Sequence, residues 1–226
     1  MDIRLSFTEA GNGAPLVLLH GNGEDSTYFA PHIAGLAQHF RVIALDTRGH
    51  GKSPRGHAPF TIRQFAQDLK DFLDEQGIAR ANLLGFSDGG NIALNFALEH
   101  PQRVDRLILN GANLFPSGVK LSVQIPIVLG YGVAAVLARF SPEAARKAEL
   151  LRLMVREPSI RPSELRRITA RTLVIAGTHD MIREKHTRLI CDSLPNARLE
   201  IIPGDHFVAR TNPEEFRRAV ETFLMA

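Results

Sequence analysis

The stretch Leu83-Leu84-Gly85-Phe86-Ser87-Asp88-Gly89-Gly90-Asn91 constrains this chain more than any other. Ala81 to Leu84 is an apolar run that reads as a buried strand, and from Gly89 onward Ile92, Ala93, Leu94, Phe96, Ala97 and Leu98 read as a helix. Between them sits Gly85-x-Ser87-x-Gly89, the pattern of a nucleophile elbow. A strand that reverses into a helix in so few residues crowds the backbone on both sides of the turning residue. Glycines two before and two after remove the Cβ atoms that would clash. The turning residue is held in a strained conformation, with its side chain thrust out at the strand's carboxyl end. A serine there is exposed, pre-aimed and next to the positive end of a helix dipole.

The rest of the chain alternates strand-like and helix-like segments. Ile3 to Thr8 alternates apolar and polar residues, as an edge strand does, and Glu9 to Gly13 is turn chemistry. Leu16 to Leu19, Arg41 to Leu45, Val104 to Leu109, Arg171 to Ala176 and Arg198 to Ile202 are short aliphatic runs suited to strands buried on both faces. Helical patterns fall over about Tyr28 to His39, from a capping box at Thr61-Ile62-Arg63-Gln64 to about Gln76, over about Glu184 to Leu194, and from Asn212-Pro213 to about Leu224. This order predicts an α/β fold with a parallel sheet covered by helices on both faces. Residues 113–167 carry no strand pattern and read as a mostly helical insertion, so the core comprises 1–112 and 168–226.

Length and composition narrow the function classes. A chain of 226 residues fits one domain with room for a small insertion. The net charge of +3 comes from Lys and Arg scattered among Asp and Glu, with no basic stripe, so no nucleic-acid partner is expected. The lone Cys191 excludes an internal disulfide and a Cys-based zinc site, fits a reducing cytoplasm, and reads as a buried helix residue. Met1-Asp2-Ile3-Arg4 lacks the charged start and apolar run of a signal peptide. Leu121 to Ala138 holds no charged residue, which is about the minimum length for a span. It also holds Ser122, Gln124, Pro126, Gly130 and Gly132, and it lies deep inside a soluble pattern, so it reads as an apolar cap over a pocket and not as a membrane span.

The unusual loops all follow strands: His20 to Gly23, Asp46 to Ser53, Gly85 to Gly89, Asp180, and Asp205-His206. Parallel sheets bind ligands outside the carboxyl ends of their strands, so these loops converge on one edge. A serine hydroxyl is a poor nucleophile until a base takes its proton, and the base needs an acid to hold its tautomer. Ser87, Asp180 and His206 occur in the order serine, acid, histidine, and the 26 residues from Asp180 to His206 leave room for one helix and one strand. Asp205 is a rival acid that would point away from the histidine. Asn110 and Asn113 occupy the other possible acid position and cannot carry the charge.

These motifs resemble the alpha/beta-hydrolase superfamily along essentially the whole chain. His20-Gly21-Asn22-Gly23 is similar to its oxyanion loop, and Asp46-x-Arg48-Gly49-x-Gly51-x-Ser53 to the loop after its next strand. The resemblance implies a mostly parallel central sheet with a small helical cap inserted before the acid-bearing strand. It makes Ser87 the nucleophile, His206 the general base and Asp180 the orienting acid, with the backbone N–H groups of Asn22 and Asp88 as the oxyanion hole. A serine in the elbow argues against the dehalogenase branch. His20 is expected to brace the oxyanion loop, and Arg48, His50 and Ser53 to be loop scaffolding. No metal-binding pattern and no dinucleotide fingerprint is present, so neither a metal nor a cofactor is expected.

Asp88 has two readings. One is a carboxylate well placed at a helix N-terminus. The other comes from Gly-x-Ser-Asp-Gly-Gly followed by Gly111-Ala112-Asn113, which resembles the biphenyl-hydrolase-like amino acid ester hydrolases; there the acid after the nucleophile recognises the substrate's α-amino group. The expectation is a serine hydrolase that cleaves a small-molecule carboxylic ester in two acyl-transfer steps. A carbon–carbon bond hydrolase, a lactonase or a perhydrolase on the same three residues are alternatives. A non-catalytic small-molecule receptor on the same fold is an alternative of another class, and a membrane-anchored protein using Leu121 to Ala138 is a third. Oligomeric state is not readable from the sequence.

Overall fold

The computed structural model describes residues 2–226. Among them, β1 (Phe7–Ala10), β2 (Ala14–Leu19), β3 (Phe40–Leu45), β4 (Ala81–Phe86), β5 (Val104–Asn110), β6 (Arg171–Gly177) and β7 (Ala197–Ile202) form one sheet in the order β1-β3-β2-β4-β5-β6-β7. All neighbours are parallel except β1, which runs antiparallel to β3 at the edge. Successive side chains in a strand point to opposite faces, so each aliphatic run feeds two cores at once. Val17, Leu83, Leu107 and Val174 face α2 (Ile62–Glu75) and α3 (Asp88–Glu99) on one side. Leu18, Leu84, Ile108 and Leu173, which lie in register with one another, face α1 (Ala30–Leu36) and α8 (Pro213–Met225) on the other, with Phe216, Val220 and Phe223 of α8 completing that layer.

Two elements differ from the sequence expectation. The first strand is Phe7–Ala10, so Glu9 and Ala10 belong to the ladder and the turn follows at Gly11 and Gly13, both with positive φ. Pairing with β3 sets this register: the Glu9 carboxylate accepts from the Arg41 guanidinium at 2.8 and 2.9 Å, an interaction that no local pattern reveals. The helix expected from Tyr28 starts as a 3₁₀ turn at Ser26–Phe29, capped by Asp25, and becomes α-helical only at Ala30. The capping box at α2 is half formed. Thr61 Oγ1 accepts from the Gln64 N–H at 3.1 Å, while the Gln64 amide donates to Asp68.

Between β5 and β6 the chain leaves the sheet and forms α4 (Leu121–Leu137) and α5 (Pro142–Arg156), followed later by α6 (Glu184–Ser193) and the short α7 (Val208–Thr211). α4 packs mainly on α5, with Ala134 buried and Gln124 donating to the Met154 carbonyl. Val123, Ile127 and Tyr131 are half-buried, while Leu121, Ile125, Val128, Leu129, Val133, Val136 and Leu137 are exposed, Leu129 to 66% and Val133 to 61%. The expected greasy cover over a pocket is thus turned outward. Among the described residues no helix is long and apolar enough to cross a membrane. Cys191, expected to be buried in its helix, is half-buried on α6.

Candidate active site

The strand–turn–helix at Ser87 has the geometry its glycines require. Ser87 has φ 53° and ψ −119°, and it is the one non-glycine with positive φ among the described residues. A Cβ on Gly85 would lie 2.3 Å from the Gly89 carbonyl oxygen, and one on Gly89 would lie 2.0 Å from that of Leu19. The turn is tied down by the Ser87 N–H donating to the Asn110 carbonyl at 2.8 Å and the Asn91 N–H donating to the Ser87 carbonyl at 3.1 Å. The Ser87 side chain leaves this turn at the carboxyl end of β4.

Ser87, Asp180 and His206 come together there. Ser87 Oγ lies 3.0 Å from His206 Nε2, and His206 Nδ1 lies 2.7 Å from Asp180 Oδ1. Both His206 and Asp180 are buried. Asp180 is fixed by accepting the Ile182 N–H at 2.8 Å and, more weakly, that of Gly177 at 3.4 Å. His206 rests against Phe86 and Phe207, with ring centroids 4.9 and 5.4 Å away. Gly111 makes room for it, because a Cβ there would sit 2.6 Å from His206 Cε1. Asp205 turns away, its carboxylate accepting from the Phe207 N–H and from Thr211 Oγ1.

Asn22 lies in the loop after β2, and Asp88 is the first residue of α3. Among the described residues, neither backbone N–H donates to a protein acceptor. Their side chains are joined: Asn22 Nδ2 donates to Asp88 Oδ2 at 2.9 Å and also to the Leu150 carbonyl of α5 at 3.0 Å. Asp88 Oδ1 accepts from Asn91 Nδ2 at 3.1 Å, and Asn91 is held in turn by Asn113. The Asp88 carboxylate therefore satisfies no backbone N–H of its own helix. It is buried among amides with no cation paired to it, and burial raises its pKa against the opposing effect of the two amide donors.

The cavity against Ser87 is small, with a volume of about 10 Å³, roughly one water. Val119, Met154, Met181 and Ile182 supply its apolar wall, so no residue of the uncharged stretch Leu121 to Ala138 lines it. Asp88 and Glu157 supply carboxylates. Glu157 was not indicated by the sequence: it follows α5, lies in no motif, and reaches across to accept the Ile62 N–H that opens α2, at 2.7 Å. Burial raises its pKa as well, and Asp88 nearby adds to the effect. A separate, larger cavity of about 660 Å³ lies between residues 49–60 and α5, with Leu150 in its lining. It is crossed by the Arg55–Glu149 ion pair at 2.6 Å.

The surrounding loops are braced by buried polar groups. His20 Nε2 accepts from the Thr47 N–H at 3.0 Å, and its Nδ1 lies 2.7 Å from the Gly21 carbonyl, which fixes the tautomer with the proton on Nδ1. Burial, reinforced by His50, lowers the His20 pKa to about 4, so this ring is neutral. Arg48 is fully buried and donates to Asp68 at 2.7 Å and to Asp2 at 2.6 Å. Burial opposes its charge, and these carboxylates outweigh that and hold it above its ordinary pKa. Ser53 Oγ donates to the Asp46 carbonyl and accepts the Ser6 N–H. Among the described residues no group of three His, Cys, Asp or Glu is placed to hold a metal ion.

Comparison with known proteins agrees with this architecture. Residues 14–159 match the alpha/beta hydrolase fold family. A protein from Caulobacter sp. (strain K31) that carries the provisional name carbamate hydrolase RutD is 30% identical over 247 residues, covering 95% of this chain and 92% of that one. The crystal structure of the enol-lactonase from Burkholderia xenovorans LB400 superposes with a TM-score of 0.83 at 25% identity, covering 99% of this chain and 97% of that one. An esterase from Thermogutta terrifontis shares the fold with a TM-score of 0.82 at 23% identity, covering 99% and 93%.

Proposed function

The chain belongs to the alpha/beta hydrolase fold family, and from that premise we propose that it is a serine hydrolase cleaving a small carboxylic ester by two-step acyl transfer. The observation that carries the reading is the continuous hydrogen-bonded line from Ser87 Oγ through His206 to Asp180, at 3.0 and 2.7 Å, launched from a serine held at positive φ. His206 Nε2 takes the Ser87 proton as Oγ attacks the ester carbonyl, and Asp180 holds the ring with Nδ1 protonated and stabilises the imidazolium that forms. The developing oxyanion accepts from the Asn22 and Asp88 N–H groups; one such donor is worth roughly 3–4 kcal/mol of barrier. His206 returns the proton to the departing alcohol, then activates water to release the acid from Ser87. The cycle runs on these side chains with no cofactor.

Residues 113–167 serve in this reading as the cap. The cavity at Ser87 is too small for an ester, so its apolar wall of Val119, Met154, Met181 and Ile182 must yield for substrate to enter. The 660 Å³ cavity along α5 offers the larger volume, and it shares no lining residue with the cavity at Ser87. The related proteins act, by name, on a carbamate, an enol-lactone and esters, all of which present a carbonyl bonded to a heteroatom. A lactone is a cyclic ester and fits the same cycle.

A second reading refines the substrate. Two carboxylates, Asp88 and Glu157, line the Ser87 cavity, and no Lys or Arg does. A negative charge beside a forming oxyanion opposes catalysis unless a cation offsets it, so an ester bearing an amino group matches this wall. The test is a panel of chromogenic acetyl, butyryl and α-amino acyl esters with wild type, Ser87→Ala and Asp88→Asn. Wild type is expected to hydrolyse the panel and Ser87→Ala to fall by about 10³-fold or more. Asp88→Asn should cut kcat/KM for the α-amino acyl ester at least about tenfold more than for acetyl. Undiminished turnover by Ser87→Ala overturns the acyl-transfer reading, and equal losses on both esters in Asp88→Asn overturn the amino-group reading alone.

A further inference from the structure

The mechanism above makes no use of the most exposed apolar surface of the molecule, the outer side of α4. Leu121, Ile125, Leu129, Val133 and Val136 are each more than half exposed, and Phe140, just beyond the helix, is 83% exposed. They lie at three- and four-residue intervals, so they form one stripe along the helix. Contiguous exposed apolar area on this scale marks a surface that something covers. The inner side of α4 is already occupied by α5, so the outer stripe is surplus to the fold.

Charge decides what covers it. Lys120 precedes the helix and Arg139 follows it, both exposed, and nothing acidic lies between them. On α5 and just after it, Glu149 is committed to Arg55 and Glu157 to the Ile62 N–H, which leaves Glu143 as the exposed acid against Arg146, Lys147, Arg152 and Arg156. Two copies of α4 laid side by side bring like charges together at both ends, whether parallel or antiparallel. A face about 26 Å long and about 10 Å wide is also small beside the roughly 800 Å² per partner that a standard interface buries. At that length it is too short to cross the roughly 30 Å hydrocarbon core. An aliphatic face with basic ends suits a helix lying in the plane of an anionic bilayer surface.

We propose that α4 docks this protein onto anionic phospholipid membranes, with Leu129 and Val133 at the centre of the inserted face. Docking would hold the α4–α5 insertion, and with it the cavity at Ser87, close to the lipid–water boundary. The proposal does not depend on the ester hydrolase reading, and its test needs no turnover.

The experiment is co-sedimentation of the full chain with vesicles of equimolar phosphatidylcholine and phosphatidylglycerol, against vesicles of phosphatidylcholine alone, at low and high salt. Wild type is expected to bind the anionic vesicles and to lose about tenfold or more in affinity on neutral vesicles or at high salt. A variant carrying Leu129→Glu and Val133→Glu, with wild-type circular dichroism and Tm, should lose binding by about tenfold or more. No sedimentation of wild type with anionic vesicles, or equal binding to both vesicle types, overturns the proposal. So does a dimer on size exclusion that the same variant converts to monomer, because the face would then be covered by a second copy. Should the double variant fail to fold, the lipid and salt dependence of wild type decides the matter by itself.

Discussion

β4 and α4 are both uncharged runs, and their side chains end in opposite places. Each of the six residues of Ala81–Phe86 is buried, whereas in Leu121–Leu137 Ala134 is buried and the others are half-buried or exposed. β4 is flanked on both sides by other strands and covered on both faces, so every side chain it carries is enclosed before its chemistry matters. α4 has one neighbour layer, α5, and its apolarity exceeds what that layer can cover. An apolar run states that something must cover it and leaves open whether that cover comes from its own chain. The difference extends beyond packing: the turn that follows β4 is tied down by backbone hydrogen bonds and sets Ser87 Oγ 3.0 Å from His206 Nε2, while α4 presents a surface.

Substitutions can break this comparison, beginning where the effect is largest. Asp180→Asn keeps a hydrogen-bonding side chain at the acid position but removes the charge that orients His206, so kcat for an ester substrate should fall by about 10⁴-fold while circular dichroism stays unchanged. A loss under tenfold would mean that the buried line through Asp180 does not govern the chemistry. Next is Gly89→Ala, whose new Cβ would meet the Leu19 carbonyl oxygen at 2.0 Å. Backbone on both sides cannot give way easily, and we expect insoluble protein or a Tm lower by about 10 °C or more.

A third prediction concerns pH. The His20 pKa is about 4 in the folded chain against 6.5 for the free side chain. Between these values the unfolded chain binds a proton that the folded chain does not, so this contribution is complete above pH 6.5 and is lost as pH falls toward 4. It amounts to on the order of 3 kcal/mol. Urea midpoints measured from pH 7 to pH 4 should fall, and His20→Asn should flatten part of that slope; an identical slope in the variant would remove His20 from the account. The smallest effect belongs to α4. Leu129→Glu should change stability by no more than about 0.5 kcal/mol, since its side chain is already in water. A large loss of Tm there would mean that α4 is covered in the protein after all.

The sheet edge was legible in the sequence because its constraints are local. Gly85, Ser87 and Gly89 state a turn that only small residues permit, and each aliphatic run of four to seven residues fits a two-faced strand. Asp180 and His206 could be nominated because each lies four residues after the end of such a run. The facing of α4 was not legible. A helix that is apolar all round has no direction in its periodicity, so nothing in Leu121 to Ala138 tells which side meets α5. Glu157 was hidden for another reason: its place is fixed by accepting the Ile62 N–H at the start of α2, a residue 95 positions away in the chain. The true extent of β1 likewise rests on a pairing with Arg41 that lies 32 residues away from Glu9.

The central claim is that Ser87 carries the acyl group between two half-reactions. The most direct test is intact-protein mass spectrometry on samples acid-quenched within the first turnovers of a p-nitrophenyl ester, followed by peptide mapping. The account predicts a single acyl adduct on the peptide containing Ser87, absent in Ser87→Ala, together with loss of turnover in that variant. Turnover that persists in Ser87→Ala, or an adduct carried by a different residue, would contradict it.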